Sequence, residues 1–117
     1  MKKIIVAAFI ILAVFSGTVS AQNIIEKNKI EFLISSVENL KGAKFIRNGS
    51  EYSGQEAAKH LRMKLQRAGT HVQTADDFIR LCASKSYNSG KPYLIRLSDG
   101  KTIKAEEYFR AKLKEYH

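Results

Sequence analysis

Two dipeptides, Asn48-Gly49 and Asp99-Gly100, constrain this chain more than any other feature of it. Each separates two short runs of strand character. The first pair is Lys44-Phe45-Ile46-Arg47 and Ser50-Glu51-Tyr52; the second is Tyr93-Leu94-Ile95-Arg96-Leu97 and Lys101-Thr102-Ile103. Asn-Gly and Asp-Gly tolerate the positive φ of a tight hairpin turn, so both segments read as β-hairpins. A lone hairpin is marginal in water. The two must share a sheet and lean on helices, which predicts an α+β fold: a small antiparallel sheet of two hairpins with about four helices on one face.

The helices announce themselves by spacing and caps. Residues 24–40 carry Ile30, Leu33, Ile34 and Val37 on one stripe, with Gly42 as the stop. Ser53 and Glu56 form a Ser-x-x-Glu capping box, followed by the stripe Ala57, Ala58, Leu61, Leu65, Ala68 and the stop Gly69. Thr74 and Asp77 open a third helix by the same device, running to about Ala83. A polar loop, Ser84 to Gly90, leads to Lys91-Pro92. The last helix spans Ala105 to Tyr116, with Ala105, Phe109, Leu113 and Tyr116 inward. The order is helix, hairpin, helix, twice over. The halves also echo in residues: Phe45-Ile46-Arg47 against Leu94-Ile95-Arg96, and Leu61-Arg62-Met63-Lys64-Leu65 against Phe109-Arg110-Ala111-Lys112-Leu113. A duplicated αββα unit is therefore expected.

The N-terminus reads differently. Lys2 and Lys3 precede twelve apolar residues, Ile4 through Phe15, and Val19-Ser20-Ala21 offers small residues for cleavage. That order marks residues 1–21 as a cleavable signal peptide, and the apolar run is too short to span a bilayer. The expectation is export to the periplasm or beyond, with residues 22–117 as one domain and no transmembrane segment after cleavage. Losing Lys2 and Lys3, and no acid, takes the net charge from +9 to +7. The positive residues are spread and not massed. Aromatics are few and Trp is absent, so no stacking platform for nucleic acid is expected. Cys82 is alone and lies on the apolar stripe Ala75, Phe78, Ile79, Cys82, so it reads as a packed, inert thiol.

Several stretches carry a family resemblance. Phe45-Ile-Arg-Asn-Gly49, Glu56-Ala-Ala-Lys-His-Leu-Arg-Met-Lys-Leu65, Thr74-Ala-Asp-Asp-Phe-Ile79, Ala83-Ser-Lys-Ser86 and Gly90-Lys-Pro-Tyr93 together resemble the YfeK-like family of small secreted or periplasmic bacterial proteins. The resemblance covers residues 30–97 and implies export, a single domain and no assigned activity. It supplies no catalytic residue.

The polar residues fall into three candidate groups. Arg47 and Asn48, at the first turn, could hold an anion with help from the turn amides. Glu56, His60 and Lys64 recur at i, i+4 and i+8 on one helix face, with Arg62 on the same helix. The Ser84–Tyr93 loop brings Lys91 but lacks the residue order of a phosphate loop. No metal-ligand spacing, cofactor motif or nucleophile elbow is present. The first reading is a non-enzymatic module binding an envelope protein, a polymer or an anionic small molecule through Arg47, Asn48, Glu56, His60, Arg62 and Lys91. The alternative is a small hydrolase with Glu56 and His60 as acid and base.

Overall fold

The computed structural model describes residues 23–117. The expected signal peptide lies outside the described residues. Helix α1 runs over residues 23–38. It is followed by strands β1 (Lys44–Arg47) and β2 (Ser50–Tyr52), then by α2 (Gly54–Ala68) and a single 3-10 turn, Gly69–His71. Helix α3 (Ala75–Phe78) continues as a π turn over Ile79–Ala83. Strands β3 (Leu94–Arg96) and β4 (Thr102–Lys104) precede α4 (Ala105–Glu115). This is the expected α+β architecture, with its two hairpins in one antiparallel sheet of order β2-β1-β3-β4.

Sheet register decides which residues face the helices. Tyr52, Phe45, Ile95 and Ile103 stand opposite one another in a row across all four strands. Phe45 and Ile95 are buried, and Tyr52 and Ile103 pack against the same core. Side chains alternate along a strand, so Lys44, Ile46, Glu51, Leu94 and Arg96 take the opposite face. There Arg96 bonds Glu51 at 2.7 Å. The helices thus cover one face, where Ile30, Leu33, Ile34, Val37, Phe78, Ile79 and Cys82 fill the core.

The caps form as the sequence predicts. Ser53 accepts the Glu56 N–H while the Glu56 carboxylate accepts the Ser53 N–H at 3.0 Å. Thr74 and Asp77 repeat the arrangement at α3. Asn48 and Gly49 adopt φ of 51° and 82°, as a two-residue turn requires. Gly54 serves a different need. A Cβ there would lie 2.5 Å from the Val37 carbonyl oxygen, so the start of α2 can approach the end of α1 only through glycine. The third helix departs from expectation after four residues. The Ser84 hydroxyl donates to the Ile79 carbonyl, and the widened turn buries Ile79, Cys82 and Ala83 together. Tyr108, which is not among the residues expected inward on this helix, is buried, and its hydroxyl donates to Ser36 Oγ at 3.0 Å.

The two αββα units share their order and their place in the sheet. Phe45 pairs with Ile95, so a two-fold axis through that pair equates each β1 residue with the β3 residue fifty positions on. The second turn is one residue longer: Leu97 donates to the Lys101 carbonyl at 2.8 Å, leaving a three-residue loop, Ser98-Asp99-Gly100. The helices after the hairpins, starting at Gly54 and Ala105, are accordingly one position further apart. The helices before them place their core residues alike, Ile30, Leu33, Ile34 and Val37 against Ala75, Phe78, Ile79 and Cys82. The residue echo keeps a different alignment, displaced by one in the strands and by three in the helices. A three-residue shift preserves a helical face, so that echo follows amphipathic spacing. A one-residue shift swaps strand faces and has no counterpart in the register.

Candidate functional site

The equivalence of the units exposes a difference that matters chemically. At the fourth and fifth positions α4 carries Tyr108 and Phe109, whereas α2 carries Ala57 and Ala58. Aromatic rings fill the second unit, and in the first the Ala57 methyl group borders open space while Ala58 packs into the core. Where β3 runs on to Leu97, β1 ends in Arg47. The result is a cavity of about 300 Å³ between the first hairpin and α2. Phe45, Tyr52, Leu61, Tyr93 and Phe109 form much of its wall, with Arg47, Glu56, Lys59 and His60 contributing the charge.

Arg47 is the unusual member. It shares the strand face of Phe45 and is half-buried. Its Nε atom is buried without a hydrogen-bond partner. No carboxylate pairs with its guanidinium among the described residues. Elsewhere on the surface Arg62, Arg80, Arg96 and Arg110 are all paired with acids. Leaving a buried donor unmet costs on the order of 1–3 kcal/mol.

His60 lines the same cavity from α2. Burial pushes its pKa below the ordinary value, and the positive charges of Arg47, Lys64 and Arg67 push it further. Its imidazole is therefore neutral near pH 7. Lys64 is anchored away from it, donating to the Tyr93 hydroxyl at 2.8 Å with its ammonium 4.7 Å from the Tyr93 ring centre.

The remaining expected site residues divide. Glu56 lines the cavity, but its carboxylate is engaged by the Ser53 N–H, which holds it in the charged form. It is exposed and tied to a cap, a poor arrangement for orienting or deprotonating His60. Asn48 donates to Ser86 Oγ at 3.3 Å and accepts from the Ser89 hydroxyl. It thereby pins the Ser84–Tyr93 loop to the first hairpin. Lys91 belongs to that loop, where its carbonyl accepts the Ser86 N–H at 2.9 Å, and its side chain is exposed. Arg62 stands apart: it bridges α2 to α1 through Glu31 at 2.7 Å and Glu38 at 3.3 Å. The structure thus brings Arg47, Glu56 and His60 together, joins Asn48 and Lys91 through the loop, and leaves Arg62 outside. The aromatic wall escapes sequence reasoning because Tyr52 and Tyr93 are far apart in the chain and meet only when β1 pairs with both β2 and β3. Cys82 is buried, and burial raises its pKa, which keeps the thiol protonated and unreactive.

No group of three potential metal ligands occurs among the described residues, and no helix among them is long and apolar enough to cross a membrane. Fold and site together make this an α+β domain with a largely apolar cavity that carries an unpaired arginine. Residues 25–117 match a family of unknown function, DUF5329, and the chain belongs to it. It is similar to the uncharacterized protein YfeK of Salmonella typhimurium strain LT2, with 34% identity over 93 residues covering 80% of this chain and 77% of that protein. The resemblance read from the motifs of residues 30–97 therefore holds, and the match continues through α4. No solved structure matches the chain.

Proposed function

We propose that this protein is an exported, non-enzymatic binding module whose cavity captures a small anionic molecule. One observation carries the reading: a half-buried arginine without a counter-ion, in the wall of a largely apolar cavity, at the position where the sister unit has leucine. A guanidinium so placed favours an arriving anion, because the site is partly desolvated and the charge is already unpaired. The cavity volume sits at the lower end of the roughly 300–1,000 Å³ range of small-molecule sites, which favours a compact ligand over a polymer or a protein surface. The pattern of residues 1–21 supports export, to the periplasm or beyond. The engagement of Glu56 by its cap favours binding over hydrolysis.

Titration of the purified protein with anilinonaphthalene sulfonate, an apolar anion that fluoresces when sheltered from water, tests the reading. One probe per chain is expected, with affinity reduced at least about tenfold in Arg47→Leu, the loss of one charge-assisted contact. Equal binding by the wild type and Arg47→Leu, with both folded by circular dichroism, would overturn it.

A further inference from the structure

We infer that the ligand is a compact apolar carboxylic acid, bound as its anion with the carboxylate on Arg47 and taking up a proton on His60 as it binds. This inference deepens the reading above and rests on it. Three features lead to it, beginning with charge. Within the cavity wall the unpaired permanent cation facing inward is Arg47, while Glu56 adds a negative charge at the rim. A single negative charge matches that balance. A phosphate dianion would bring a second charge to an apolar cavity whose other permanent cation, Lys59, is exposed. Lys59 lies on the exposed side of α2, where water screens it.

Shape is the second feature. Guanidinium and carboxylate are both planar and pair through two parallel hydrogen bonds. Arg47 enters from the end of β1, and the aromatic wall of Phe45, Tyr52, Tyr93 and Phe109 extends from it. An acid with a flat or compact apolar body satisfies both at once. The wall is also built, not incidental. Ala57 occupies the place of Tyr108 in the sister unit and lines the cavity, so room exists there because that side chain is small.

The third feature is the histidine opposite. His60 faces Arg47 on β1, Lys64 and Arg67 on its own helix, and shares the cavity with Tyr52 of β2, Tyr93 before β3, and Glu56 and Lys59 of α2. The empty site is net positive around the imidazole and disfavours its charged form. An anion on Arg47 reverses that local field. The imidazolium becomes favourable, and Nδ1–H or Nε2–H can donate to the second carboxylate oxygen. Proton uptake on binding means that affinity rises as pH falls through the interval between the pKa of the empty and the occupied site.

Calorimetry with naphthoate at about pH 8 and about pH 5.5 tests this, since the probe is ionised at both. Binding is expected to be about tenfold tighter at the lower pH, which requires a gain of more than about tenfold in the proton affinity of His60, with a fraction of a proton taken up from buffer. His60→Gln should lose the pH dependence, binding naphthoate with the same affinity at both pH values. Ala57→Phe, which fills the cavity as the sister unit fills its own, should abolish binding in a protein of normal circular dichroism. Acetate and inorganic phosphate should compete weakly. If phosphate competes better than naphthoate, or naphthoate affinity is flat with pH, this inference is overturned. If anilinonaphthalene sulfonate binding in those same preparations still depends on Arg47, the broader reading survives.

Discussion

The first αββα unit and the second are built to the same plan and filled differently. The second is closed: Tyr108 and Phe109 drive into the core from α4, Phe109 meets Phe78 and Tyr108 edge-on, and Leu97 continues the apolar row beyond β3. The first is left open, with Ala57 and Ala58 in place of the rings and Arg47 in place of the leucine. Their caps are unequal too. Helix α2 has a complete capping box, while α4 begins at Lys104 without a side-chain cap. The helix with the weaker start is held by aromatic packing, and the helix beside the cavity is held at its end. Of the two units, the second supplies most of the aromatic packing of the core, and the first keeps a half-buried arginine without an acid partner.

Substitutions that make one unit resemble the other test whether the difference in filling has consequences for stability. The largest effect is expected from Phe109→Ala, which gives α4 the alanine of α2. Loss of a buried ring and the void it leaves should cost about 3–5 kcal/mol, read from urea unfolding. A loss below about 1 kcal/mol would mean that the second unit is not the anchor. The reverse exchange, Arg47→Leu, should stabilise the protein by about 1 kcal/mol, because it removes a buried unmet donor and adds apolar contact. Unchanged or lowered stability would show that Arg47 is satisfied by water and that the cavity carries no functional strain.

Arg62→Ala probes the bridge between the two helices of the first unit and should do less. Both of its acids are substantially exposed, so the pair of bridges from α2 to α1 is worth less than about 1 kcal/mol. Binding of anilinonaphthalene sulfonate should be unaltered. A loss of probe binding in this variant would return Arg62 to the site from which the geometry removes it.

What the sequence disclosed and what it withheld follow from the range of the interactions concerned. Asn48-Gly49, the Ser53/Glu56 and Thr74/Asp77 boxes and the stripe through Ile30, Leu33, Ile34 and Val37 are local signals, and each forms where the pattern predicts. The pairing of β1 with β3 is not local. Nothing in either hairpin alone states that Phe45 will lie opposite Ile95, and the residue echo suggests a neighbouring alignment. Arg47 and His60 can be singled out by type and position. Their meeting in one cavity depends on the packing of α2 over the hairpin, and the cavity itself depends on Ala57, which reads in sequence as an ordinary inward alanine. Tyr108 gives no signal of its burial because its partner, Ser36, is far away in the chain. The π turn at Ile79–Ala83 depends on Ser84 reaching back five residues, a bond no stripe pattern encodes.

The smallest expected effect concerns His60 and the pH dependence of folding. Its pKa is lowered in the folded protein, by burial first and by Arg47, Lys64 and Arg67 after it. The unfolded chain therefore binds more protons than the native one from around 6.5 down to the native value. Stability from this group is whole above pH 6.5 and is lost as pH falls through the folded pKa. Carboxylates titrate lower: Glu26, held down by the Ala75 N–H, and Asp77, held down by the Gln73 N–H, lose their contributions nearer pH 4. The interval between about pH 7 and pH 5 thus belongs mainly to histidine. Urea midpoints for the wild type should fall gently across it, and His60→Gln should flatten that fall while leaving the steeper loss below pH 5 in place. Because Arg47 is the only one of these three cations on another element, Arg47→Leu should flatten the same slope in part. Parallel slopes in all three proteins would mean that the imidazole does not sense the guanidinium, and that the open unit holds two independent groups and not one coupled site.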